Sequence, residues 1–142
     1  MNVILDTNIV ISAILKDRTP ETIIRFIISN PPWRWLASTA IVDEYRSVLR
    51  RPKFKLPGTL ITSWETLFHD HIKRVAVANT TSFSRDPKDA KFLQCLETDE
   101  TALFVTGDQD FSAAPLHLQA RIYSIMAFKL LIETWIDESQ SA

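Results

Sequence analysis

Two short runs, Val3-Ile4-Leu5 and Ala102-Leu103-Phe104-Val105, are apolar without interruption and break directly into polar residues. Asp6-Thr7-Asn8 follows the first, and Thr106-Gly107-Asp108-Gln109-Asp110-Phe111 follows the second. Runs this short are read as strands buried on both faces, the pattern of a parallel sheet covered by helices. Between them the apolar residues change to helical spacing. Ile23, Ile24, Ile27 and Ile28 form one broad face, and Ala40, Ile41, Tyr45, Val48 and Leu49 a second. Leu60, Ile61, Trp64, Leu67 and Phe68 form a third, with Phe92, Leu93 and Leu96 a fourth.

Turn and cap residues divide the chain at these changes of period. Thr19-Pro20 reads as a cap followed by the first helical position, Ser38 or Thr39 caps the next helix, and Pro57-Gly58 and Asp86-Pro87 open two more. Further strands are expected at Trp33–Ala37, Val75–Val77 and Arg121–Ser124, with a closing helix over Ala127–Ile136. Strands alternate with helices throughout, which predicts a single-domain, three-layer α/β/α fold on a parallel sheet.

The 142 residues suit one domain, and 46% hydrophobic with 23% charged residues is a globular composition. Sixteen basic against 17 acidic side chains leave a net charge of −1, so any nucleic-acid binding must come from a local patch. Cys95 is the one cysteine, which excludes an internal disulfide and points to a reducing compartment. The chain opens on a strand and contains no long apolar span, so a cytoplasmic protein without membrane association is expected.

The acids carry the chemistry. In open α/β sheets ligands bind beyond the carboxyl ends of the strands, where Asp6 and Asp108 both fall. Asp6 reads equally as a cap for the following helix. Glu44 lies three residues after Ile41 and four before Val48, which puts it against the apolar stripe. A carboxylate there must be protonated, paired or bound to a cation, unless its tip reaches water. Asp89 stands in the first turn of its helix on the side of Leu93, a second acid at the head of an apolar stripe. The alternative is favourable interaction with the helix dipole, worth only about 0.3 to 1 kcal/mol, which would equally explain Asp86. If the four converge, each pair at 4 Å repels by roughly 4 kcal/mol at an effective dielectric near 20. No lysine or arginine can be identified from the sequence as a partner, whereas an all-oxygen cage suits Mg²⁺ or Mn²⁺. Ions of this kind, held by carboxylates, activate water for attack on phosphodiesters.

These same residues resemble a family. Val3-Ile4-Leu5-Asp6-Thr7-Asn8, Ser38 to Glu44 with Val48 to Phe54, Asp86-Pro87-Lys88-Asp89-Ala90-Lys91-Phe92-Leu93, and Val105 to Phe111 look together like a PIN domain. The branch they are most similar to comprises VapC-like toxin components of toxin–antitoxin systems. The resemblance implies a five-stranded parallel sheet of order 3-2-1-4-5 and a Mg²⁺- or Mn²⁺-dependent ribonuclease. It carries the catalytic and metal-binding roles onto Asp6, Glu44, Asp89 and Asp108, with Asp110 as an auxiliary metal acid and Asn8 and Thr106 as supporting residues. The matching pieces cover most of the chain to about Ile125, and with Glu138 onward read from its residues as a polar tail, a PIN-like nuclease domain is expected over 1–137 and the tail at 138–142. The resemblance further implies a homodimer, an RNA substrate and an antitoxin protein partner. Ala90 departs from the family's more common acid or Asn, and Ser112 to Ala120 is irregular for a connection to the last strand.

Rival functions share the acidic pocket: a flap-type DNA nuclease, a phosphatase, or a non-catalytic domain that binds RNA or protein. The basic run Arg46, Arg50, Arg51, Lys53 and Lys55 reads either as a grip on an RNA backbone or as a solvated helix end. Lys88 and Lys91 flank Asp89, either within reach of substrate or simply exposed. Trp33 and Trp35 are expected in the core, or at a partner contact.

Overall fold

The computed structural model describes residues 1–77, 87–107 and 114–140, with the backbone alone for 87–89. The polar stretch from Asn79 to Asp86 and the acids Asp108 and Asp110 lie outside the described residues. In chain order the elements are β1 (Asn2–Leu5), α1 (Thr7–Ile14), α2 (Arg18–Ser29), β2 (Arg34–Ala37), α3 (Thr39–Leu49), α4 (Gly58–His71) and β3 (Ile72–Arg74). They continue with α5 (Pro87–Thr98), β4 (Leu103–Thr106), α6 (Leu116–Gln119), β5 (Ile122–Ser124) and α7 (Ile125–Gln140). The strands form one parallel sheet of order β3-β2-β1-β4-β5, as expected.

Val3, Ile4 and Leu5 are all 0% exposed although they alternate in direction, so both faces of the central strand are covered. Helices therefore pack on either side of the sheet. Trp33 meets Phe26 of α2 and Phe128 and Trp135 of α7 edge-on, while Trp35 meets Tyr45 of α3 and Phe68 of α4. Both tryptophans are core residues. Arg121 locks α5 to β5, its guanidinium donating to the carbonyls of Leu96 and Asp99 at the helix's C-terminal end, where a cation is favoured. Among the described residues no helix is long and apolar enough to cross a membrane.

Several boundaries differ from the sequence reading. The edge strand is Ile72–Arg74 and not Val75–Val77. Pairing decides this: Trp35, Leu36 and Ala37 register with Ile72, Lys73 and Arg74, and the Val75 amide adds one last bond to the Ala37 carbonyl. An edge strand is half solvated, so polar Lys73 and Arg74 serve there better than an apolar run. The second helix starts at Arg18 behind Asp17, ahead of the expected Thr19 cap. The closing helix runs from Ile125 to Gln140, beyond both expected ends.

Candidate active site

The site begins where β1 stops. Asp6 turns the chain from strand to helix as the cap of α1, its carboxylate accepting from the Asn8 amide at 3.4 Å. The capping role and a position at the sheet's carboxyl edge therefore coincide in one residue. Its other oxygen accepts a 2.6 Å bond from Thr106 Oγ1 at the end of the adjacent β4. Asp6 is 8% exposed and Thr106 3%. The Asp6 amide donates to the Val105 carbonyl at 3.0 Å, which continues the β1–β4 ladder up to the acid.

Glu44 reaches the same edge from α3, which Ser38 caps by accepting from the Ile41 amide at 3.3 Å. One Glu44 oxygen accepts from Thr7 Oγ1, next in sequence to Asp6, and the other lies 2.9 Å from Lys91 Nζ on α5. Glu44 is thus paired, as its place on the apolar stripe requires. Of the alternatives open to this carboxylate, the structure shows pairing, and the partner is Lys91, whose position beside α3 depends on packing and could not be read from spacing.

Behind the acids, the Tyr45 hydroxyl donates to the Leu5 carbonyl. Burial above all, with the nearby charges of Asp6 and Glu44 adding to it, raises this hydroxyl far above the usual phenol range. It stays protonated and holds the end of β1. Cys95 is wholly buried, and burial pushes its thiol up to about 12, which leaves it an inert packing group.

Of the sequence-predicted acids, Asp6 and Glu44 are brought together through Thr7. Asp89 falls in the first turn of α5, the helix that bears Lys91. Asp108 and Asp110 fall outside the described residues. Asn8 contributes its backbone amide, and Thr106 its hydroxyl, at the positions the resemblance singled out. Thr7, Tyr45 and Lys91 were not recognised as supports. Thr7 could have been suspected from its place beside Asp6.

The carboxylates of Asp6 and Glu44 are hard oxygen donors, the chemistry that fits Mg²⁺ or Mn²⁺. Among the described residues no group of three or more His, Cys, Asp or Glu side chains is gathered closely enough to hold an ion, so these two form at most part of such a site. Two members of the basic run are drawn elsewhere. Arg46 and Arg50 lie 3.1 and 2.5 Å from the two oxygens of Glu65, fastening α3 to α4.

The PIN-domain family model matches residues 2–110. Among solved structures the chain is similar to one of VapBC2 from Rickettsia felis bound to a DNA fragment from their promoter. The TM-score is 0.63 at 16% identity, over 87% of this chain and 98% of that one, a likeness that speaks for the fold. No curated protein gives a significant match. With the expected sheet order and a family match from β1 to beyond β4, this chain belongs to the PIN-domain family.

Proposed function

We propose that the chain is a Mg²⁺- or Mn²⁺-dependent endoribonuclease, the toxin of a toxin–antitoxin pair. The observation that carries the reading is the pairing of Asp6 with Thr106 and of Glu44 with Thr7. These bonds gather carboxylates from β1 and α3 at the carboxyl edge of the sheet. Asp6, Glu44, Asp89 and Asp108 are the proposed catalytic metal ligands, with Asp110 assisting. When bound, such an ion supplies Lewis acidity and lowers the pKa of a coordinated water. The chain's own part is to hold the acids. Thr106 and the Asn8 amide fix Asp6, and Tyr45 anchors the strand end beneath it.

Residues 1–137 are proposed as the nuclease domain. Membership of the PIN family and the likeness to VapBC2 support an antitoxin partner. A cytoplasmic homodimer completes the reading.

The test is cleavage of single-stranded RNA, branched DNA and a phosphomonoester, each with Mn²⁺, by wild type and Asp6→Asn. RNA cleavage that falls at least about 100-fold in the variant and disappears with excess EDTA is the expected result. Turnover of RNA that survives either treatment overturns the metal-dependent reading, and turnover confined to DNA or the phosphomonoester overturns the substrate.

A further inference from the structure

Both carboxylate oxygens of Glu44 are engaged by the chain itself, Oε2 by Thr7 and Oε1 by the Lys91 ammonium at 2.9 Å. The ion pair is partly sheltered, with the Lys91 side chain 22% and the Glu44 side chain 27% exposed. Thr7 is a neutral donor, and a carboxylate can accept from a hydroxyl and still coordinate through its other oxygen. Lys91 is different. It is a full positive charge on the remaining oxygen, and a cation cannot approach Oε1 closely while the ammonium stays there. The lysine's four-carbon stem and rotatable head allow it to leave without any movement of α5.

Resting on the function proposed above, we infer that Lys91 is the resident counter-ion of Glu44 and competes with the divalent ion for it. In the metal-free chain Lys91 spares Glu44 the cost of a half-buried, unpaired charge. It must release Oε1 before that oxygen can become a ligand, so it sets the metal concentration at which the site fills. Lys91 is therefore a positioning residue that acts through Glu44. A purely structural ion pair would lower stability when broken and leave metal affinity where it was.

Mn²⁺ binding to wild type, Lys91→Gln and Lys91→Arg, followed by the spectroscopic signal of free Mn²⁺, separates these roles. Lys91→Gln should bind Mn²⁺ roughly fivefold more tightly, the upper worth of a part-exposed ion pair, and Lys91→Arg should match wild type. A second measurement needs no variant to fold: acetylation of Lys91 by a water-soluble reagent, read by mass spectrometry, should speed up as Mn²⁺ saturates the wild type. Equal or weaker Mn²⁺ binding by Lys91→Gln, or labelling of Lys91 indifferent to Mn²⁺, overturns the counter-ion role and leaves the metal reading standing. A wild type that binds no Mn²⁺ overturns both.

Discussion

Thr106 Oγ1 donates a 2.6 Å hydrogen bond to Asp6 Oδ2, joining the ends of two neighbouring strands whose residues are 100 positions apart in the chain. The bond holds a buried carboxylate in one rotamer at the edge of the sheet. Thr106→Val keeps the shape of the side chain and removes the donor. RNA cleavage should fall between about 10- and 100-fold, as when an outer partner of a metal-binding acid is lost. Stability should fall by about 1 kcal/mol. Parallel activity assays and urea melts check this, and full activity would mean Asp6 needs no such clamp.

Asp99 shows the opposite balance of burial and bonding from Cys95. Burial works to raise its carboxyl, but bonds from Thr101 and from the Asn2 side chain, with Arg121 nearby, outweigh it and hold the group below the usual carboxylate range. A folded-state value below the unfolded one contributes stability that is complete above the unfolded pKa of about 3.9 and is lost as pH falls through the folded value. Asp99→Asn should therefore cost about 1 kcal/mol at pH 7. The gap to wild type should close in acid, below about pH 3.9. Chemical melts across that range measure it, and a gap independent of pH would show that the charge of Asp99 is not what its partners recognise.

Lys16 ends α1 in the left-handed region, with φ 66°. Its amide donates to the Ala13 carbonyl at 3.0 Å and the Asp17 amide to that of Ser12 at 2.8 Å, the paired bonds of a Schellman ending. Glycine adopts this conformation without the side-chain clash that lysine carries. Lys16→Gly should stabilise the fold by about 0.5 to 1 kcal/mol, after its greater freedom in the unfolded chain is subtracted. A thermal midpoint higher by roughly 1 to 4 °C is the expected reading.

Much of this architecture was legible because burial is periodic. The unbroken apolar run of Val3 to Leu5 announced a strand covered on both faces, and Ser38-Thr39 announced the start of α3, where the structure makes Ser38 the cap. Glu44 betrayed itself by standing on an apolar stripe. The third strand was misread because Val75–Val77 has the composition of a strand, while membership of a sheet is settled by hydrogen-bond partners, here β2 pairing with Ile72–Arg74. The helical cap at Thr19 failed in a similar way. Asp17 takes the cap position two residues earlier, without a side-chain cap bond, and the helix begins at Arg18.

The sequence by itself determined the alternation of buried strands with amphipathic helices and the acid at the end of the first strand, because both follow from how apolar residues repeat along a few turns of chain. Only the tertiary structure decided which groups answer those acids: Thr106 for Asp6, and Thr7 and Lys91 for Glu44. A hydrogen bond or ion pair acts over a few ångströms, and whether two distant residues come that close is settled when the helices pack on the sheet.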